Sequence, residues 1–278
     1  MKYEVKNILF SKTRDDLNSI KIRGDQISNF LGIRCLLDNE ISLEDVKAIV
    51  YIKYLPEEER LFERQKQGII QIFDIIDNFE FKKLSKPLKY IDIIIANSIS
   101  HKIILENKFS HRVEILPHHH CNFRNERILI KNSKDLVIGY IGDKTHYKKI
   151  KFLEKHFENF KSYRSFDNLV EKYKSIDVGT AWRNDKLKVK YNSNLKLINY
   201  MSFGIPSVVN YENGFSEIGS HGYNCLFAID KEDLILNIKY LIENYDLRKK
   251  ISDCAFETSK SFHISIVANK YLEFFQRL

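Results

Sequence analysis

The chain has 278 residues, of which 44% are hydrophobic and 29% charged; this excludes a wholly disordered chain and fits one large or two ordinary domains. Lys plus Arg number 45 against 37 Asp plus Glu, and the net charge of +8 favours anionic partners such as nucleotide phosphates, nucleic acid or an acidic membrane surface. Four scattered cysteines make no disulfide framework or zinc module, no apolar run is long enough to span a membrane, and the N-terminus lacks a secretory core, so a cytoplasmic protein is expected. In chain order, the apolar runs Val5–Phe10, Ile33–Leu37, Ala48–Ile52, Ile69–Ile75, Ile91–Ala96 and Val113–Leu116 read as strands. Glu57–Gly68 and Ser98–Lys108 between them read as helices, the second opening on the cap pair Asn97-Ser98. Continuously apolar strands separated by helices indicate a parallel sheet covered on both faces.

A second series follows a polar join near Asn122–Lys134. It predicts a strand at Leu136–Ile141, helices at Tyr147–Phe157 and Phe166–Lys174, and a strand at Ile176–Gly179. Ser193–Phe203 reads as a helix stopped by Gly204 and Pro206, and Pro206–Asn210 as a strand. From Lys231 the chain is helix-rich, ending in the amphipathic stretches Asp246–Lys260 and His263–Arg277. Two doubly wound α/β domains are expected, 1–125 and 126–262, with 263–278 a final helix packing back toward the first. Ligands in such folds sit at the carboxyl ends of the strands, so the residues after each strand are the candidates.

The segment Ser193–Ile229 holds Lys196 and Asn199 on a helix, then Gly204, Pro206, an apolar Val208-Val209 strand, Gly214, Glu217 and Gly222-Tyr223-Asn224. In this register it resembles the donor-binding core of GT-B glycosyltransferases of the group 1 superfamily. Val137–Leu153 looks like the first strand and glycine turn of that family's C-terminal domain. Tyr90–Ser98 resembles a late strand of its N-terminal domain, and Gln67–Phe79 a strand end found in a subset of members. The resemblance implies two Rossmann-like domains facing a cleft, the N-terminal one shortened. It implies transfer of a sugar from a nucleotide-sugar donor to a hydroxyl of a glycan or lipid-linked acceptor, in bacterial surface polysaccharide or lipid-linked glycan synthesis. No bound metal or cofactor is expected, and the protein is expected at most to rest on the inner face of the cytoplasmic membrane. Retaining members carry a Glu-x7-Glu pair, whose positions are Tyr191 and Asn199 here. Asn199 can hydrogen-bond a ribose hydroxyl but supplies no carboxylate. A catalytically degenerate binding module, or an epimerase or hydrolase acting on nucleotide sugars, is the alternative.

Residue by residue, each candidate carries two readings. Ser193, Asn194 and the first N–H groups of their helix suit a diphosphate, and Lys196 in the first turn reaches toward it or into solvent. Gly142 gives a close backbone approach or only a tight turn. Lys149 matches a lysine step of the family or is plain surface. Arg183, after a strand, pairs with phosphate or lies on the surface beside Trp182. Gly214 and Glu217 fall in the loop that meets the donor sugar in the family, although Glu217 also reads as a helix cap. Asp74 and Asp77 stand three apart at a strand end, and Asp77 reads as a general base for an acceptor hydroxyl or as a cap. Arg23, in Arg23-Gly24-Asp25 at a helix start, is the candidate for an acidic acceptor group. His118, His119 and His120 read as acid–base groups on hydroxyl or phosphate, or as satisfied structural histidines. Alternation puts only two of them on one side, short of the three or four ligands zinc needs. The final aromatic pair Phe274 and Phe275 beside basic residues admits membrane-surface contact as a lesser reading. Nothing resembling an RNA- or DNA-binding module supports a nucleic-acid partner.

Overall fold

Runs such as Ala48–Ile52 and Ile93–Ala96 bury every residue, as strands covered on both faces must. The computed structural model describes residues 5–76, 84–183 and 193–278. It divides into a first unit of residues 1–118 with 264–278 and a second unit of residues 119–263. The first unit has strands β1 (Ile8–Lys12), β2 (Arg34–Leu37), β3 (Ala48–Ile52), β4 (Ile70–Asp74), β5 (Ile93–Ala96) and β6 (Arg112–Ile115). They form one parallel sheet in the order β2-β1-β3-β4-β5-β6. Helices α1 (Asn18–Ile20) and α2 (Ile27–Leu31), joined through a π-helical Lys21–Gln26, precede β2. Helices α3 (Glu58–Lys66) and α4 (Ile99–Glu106) follow β3 and β5. Ser98 caps α4 by accepting from the His101 N–H at 3.1 Å, the role expected of it.

The second unit has β7 (Ile138–Ile141), β8 (Phe160–Tyr163), β9 (Val178–Ala181), β10 (Ser207–Asn210) and β11 (Leu226–Ala228). Its parallel order is β11-β10-β9-β7-β8. The helices are α5 (Lys144–Ile150), α6 (Leu169–Lys174), α7 (Leu195–Ser202), α8 (Asn213–Ser216), α9 (Lys231–Glu243) and α10 (Tyr245–Ser259). Helix α7 stops where the sequence says it must. Gly204 adopts φ +66°, and the Ile205 N–H reaches back to the Tyr200 carbonyl at 3.0 Å. The last helix, α11 (Ile264–Phe275), belongs to the first unit, where Val267, Tyr271, Phe274 and Phe275 pack against Phe10 and Val50.

Several expectations need correction. Val5–Asn7 is a 3-10 turn, and the first strand starts at Ile8. The division between units falls at His118, seven residues before the expected boundary, because Cys121 and Asn122 bond to residues of the second unit. Phe274 and Phe275 are buried in the core, so they offer nothing to a membrane surface. Among the described residues no helix is long and apolar enough to cross a membrane.

Arg23 is the largest correction. It does not open a helix but lies inside the π-helical stretch, 1% exposed. Its Nε donates to Asp74 Oδ2 at 2.8 Å, and its Nη1 donates to the carbonyls of Leu116 and Pro117, each at 2.7 Å. Tyr271 donates its hydroxyl to the same Asp74 oxygen at 3.2 Å. A guanidinium buried on these partners ties α11 and the β6 exit to β4, and at this depth it is not presented at a surface where an acceptor could meet it.

Candidate functional site

Strand order in the second unit reverses between β7 and β9, with β8 on one side and β10 and β11 on the other. The crevice outside such a reversal is where doubly wound sheets bind ligands. Gly142 and Asp143 leave β7 there, and Trp182 and Arg183 leave β9. Asn210 ends β10 and Glu212 follows it, and the carbonyl of Ser193, just before α7, meets the Arg183 guanidinium that also holds Glu212.

Arg183 is 6% exposed and held on three sides. Its backbone N–H donates to Asn210 Oδ1 at 2.8 Å. Its Nη1 donates to Glu212 Oε1 at 2.5 Å and to the Ser193 carbonyl at 3.1 Å. The guanidinium stands 4.5 Å from the centre of the Phe215 ring, and among the described residues its Nε has no hydrogen-bond partner. Burial pushes the Glu212 carboxyl up, against the pull of Arg183.

Lys196 is partly buried in the first turn of α7. Its Nζ donates to the Tyr140 hydroxyl at 3.0 Å and lies 4.5 Å from the centre of that ring. Among the described residues no carboxylate is within ion-pair distance of it. Burial, then the neighbouring Arg183, lower its pKa to about 7. Asn194 precedes α7 without capping it, and its Oδ1 is buried with no hydrogen-bond partner among the described residues. Asp143 accepts from the His146 N–H at 2.9 Å and contacts its Nδ1 at 2.6 Å. These bonds outweigh burial and hold the Asp143 carboxyl well below the usual range.

The structure thus brings Gly142, Arg183, Ser193, Asn194 and Lys196 to one strand-end cluster. Gly142 is a close approach rather than a free turn, because a Cβ there would overlap the Lys196 ammonium and the Tyr140 hydroxyl. Gly214 is buried in α8, the short helix after β10, and Glu217 ends that helix with its N–H on the Asn213 carbonyl. Lys149 stands in the last turn of α5, where a cation suits the helix dipole.

Asn199 is also turned to another task, since its Oδ1 accepts from the Cys121 N–H at 2.9 Å. It is 7% exposed and anchors the incoming chain rather than offering its carbonyl oxygen to a ribose. His118, His119 and His120 are all buried. His119 Nδ1 meets the His120 carbonyl at 3.0 Å, and the His120 ring accepts from the Asn122 N–H at 3.2 Å. Burial, then His263, lower the His120 pKa to about 3, which suits a neutral structural ring and not an acid–base group near neutrality. Asp77 and Tyr191 lie outside the described residues. Among the described residues no group of three or more His, Cys, Asp or Glu is arranged to hold a metal ion. Sequence reasoning missed Tyr140, Asp143 and Glu212; the signal for Asp143 and Glu212 was position, since each follows a strand, while Tyr140 lies within β7 one residue before its end.

No protein-family model matches the sequence, and no curated protein matches it. Solved structures do match. Anabaena HepE in complex with UDP and glucose is 12% identical with a TM-score of 0.71, covering 98% of this chain and 100% of that one. A glycosyltransferase from Rickettsia africae is 13% identical with a TM-score of 0.72, covering 98% of each chain. The pneumococcal O-GlcNAc transferase GtfA, in complex with UDP and GlcNAc, is 9% identical with a TM-score of 0.59 over 83% of this chain and 56% of that one. The fold is GT-B, shared with these glycosyltransferases along nearly the whole chain.

Proposed function

We propose that this chain is a glycosyltransferase that moves a sugar from a nucleotide diphosphate-sugar donor to a hydroxyl acceptor. The observation that carries the reading is the cluster at the strand reversal of the second unit. There Lys196, Arg183 and the start of α7 converge where a doubly wound sheet takes a phosphate ligand. The full-length match to HepE, a structure holding UDP and glucose, supports a uridine diphosphate donor as the first to test.

Cleavage of the donor bond leaves negative charge on the departing diphosphate. Fixed cations and N–H dipoles that meet this charge as it develops lower the barrier more than they tighten donor binding. In this reading Lys196 and the first N–H groups of α7 take the phosphate oxygens. Arg183, oriented by Glu212, presents its remaining edge. Gly214 and Glu217 lie nearest the sugar, and the first unit takes the acceptor, a glycan or lipid-linked hydroxyl. The cations do the neutralising, so turnover should persist with a chelator present.

The test is a thermal-shift and calorimetric screen of UDP, GDP, CDP and ADP and their sugars. Ligand at 100 times its Kd raises stability by about 2.7 kcal/mol, a readable shift. Lys196→Ala should lose at least about ten-fold in affinity for the selected nucleotide, the scale of a hydrogen bond to a charged group, while keeping its urea midpoint. Binding unaffected by this substitution refutes the phosphate role.

A further inference from the structure

The cations of the cluster are held in two different ways. Arg183 is paired with Glu212, whereas the Lys196 ammonium rests on a neutral hydroxyl. That hydroxyl is oriented. Tyr140 is fully buried, and its O–H donates to the Asp143 carbonyl at 3.2 Å, which turns its lone pairs toward Lys196. The Tyr140 ring adds its negative face at 4.5 Å from Nζ. Gly142 leaves open the space in which the ammonium sits.

We propose that Tyr140 and Gly142 form a seat that positions the Lys196 ammonium for a diphosphate, and that an anion binding there draws a proton onto Lys196. The proposal rests on the donor-site reading above. Tyr140 is a positioning residue in it, since it acts through Lys196.

Among the described residues the charged groups facing Lys196 are Arg183 beyond β9, Asp143 beyond β7 and Glu212 beyond β10. Asp143 is engaged by His146 and Glu212 by Arg183. Tyr200, one turn along α7, gives its hydroxyl to the carbonyls of Gly139 and Thr180. Among the described residues no carboxylate lies within ion-pair distance of Lys196, and burial outweighs the pull of Asp143 and Glu212 and lowers its pKa to about 7. A diphosphate supplies the missing anion and returns the lysine toward its ordinary value of about 10.4. The sign follows. Below pH 7 Lys196 is charged before binding, and its contribution to affinity is level. Above pH 7 each binding event takes up a proton, and affinity falls by about ten-fold per pH unit until the bound lysine itself titrates.

Titration calorimetry with UDP at about pH 8.5, in two buffers of different ionisation enthalpy, measures the proton uptake. Lysine-selective NMR reads the Lys196 pKa with and without inorganic pyrophosphate. The native protein should take up close to one proton per UDP, and Lys196→Arg, always charged, should take up none. Tyr140→Phe removes the acceptor and should lower the Lys196 pKa further, weakening UDP by about ten-fold at pH 8.5 and much less at pH 6.5. Gly142→Ala displaces the ammonium without altering any charge and should weaken UDP at both pH values. UDP binding with no proton uptake, or a Tyr140→Phe protein with the native pH profile, overturns the seat and leaves the donor reading standing. Nucleotides failing to bind while pyrophosphate still raises the Lys196 pKa overturns the donor reading and keeps the seat. Neither binding overturns both.

Discussion

Arg23→Ala tests whether a conspicuous arginine is structural or a substrate contact. The native side chain is 1% exposed, and its partner Asp74 is 0% exposed. Removing the guanidinium leaves the Asp74 carboxylate buried with the Tyr271 hydroxyl and the Ile76 N–H as near donors, and strips the Leu116 and Pro117 carbonyls of theirs. Breaking a buried pair from one side costs about 3–5 kcal/mol, and each orphaned carbonyl adds about 1 kcal/mol or more. Against a total stability of about 5–15 kcal/mol that is a large fraction. With a urea slope of about 1–3 kcal/mol per molar, the midpoint should fall by at least about 1 M. Circular dichroism follows both units, while Trp182, the only tryptophan, reports on the second. Replacing the pair together, as Arg23→Met with Asp74→Leu, should recover much of the loss, because no buried charge remains. A near-native urea midpoint for Arg23→Ala, with a raised KM for the acceptor, would show that the structural account is wrong.

Two further outcomes follow from burial. His120 resists protonation down to about pH 3, while the unfolded chain takes up its proton near 6.5. The unfolded state therefore binds more protons across that window, and stability should drop as pH falls from about 6.5 toward 3. His120→Asn, which keeps an acceptor for the Asn122 N–H, should flatten that slope in urea midpoints measured at several pH values; an unchanged slope rejects the assignment. Gly179→Ala would put a Cβ 2.5 Å from the Tyr200 ring, which cannot swing away while its hydroxyl holds the Thr180 carbonyl. Overpacking of this kind costs about 1–3 kcal/mol, read in the same assay, and a native midpoint would mean that α7 shifts freely.

What was legible in the sequence had local causes. The strands β3, β5 and β10 announce themselves because all their residues are buried, which demands an apolar run whatever the partners. β8 was missed because it is an edge strand, Phe-Lys-Ser-Tyr, exposed on one side. β11 has only three residues. Helix α7 was legible with its end, since Gly204 and Pro206 stop it by backbone geometry alone.

At the site, Lys196, Arg183, Asn194 and Gly142 were reachable because strand ends bind ligands whatever the side chains. Their electrostatic states were not reachable. Glu212 finds Arg183 across 29 residues, and Arg23 finds Asp74 across 51. A charged side chain reads the same in sequence whether its partner is water, a substrate or a carboxylate half a domain away. The histidine run misled for that reason: burial decides whether His120 titrates near neutrality, and the residues that bury it come from elsewhere in the chain.

Among the described residues four arginines are buried, and two of them, Arg23 and Arg183, show how a fold separates structure from site. Arg23 meets a carboxylate and two carbonyls of its own unit, so its charge is answered by the protein. Arg183 meets Glu212, but its Nε and the neighbouring Asn194 Oδ1 lack partners among the described residues, and Lys196 beside them rests on a neutral hydroxyl. Unanswered polar groups cost stability wherever they are buried. Among the described residues Arg23 Nη2 and Asp74 Oδ1 also lack a hydrogen-bond partner, but there each charge faces the other, with Nη2 2.7 Å from Asp74 Oδ2, whereas the Lys196 ammonium has no carboxylate within ion-pair distance. A ligand with several acceptor oxygens, at least one of them charged, answers the two cations, and a hydroxyl donor answers Asn194. A nucleotide diphosphate-sugar carries both kinds of group on one molecule, whereas a bare phosphate at neutral pH lacks the sugar hydroxyls that would complete the set.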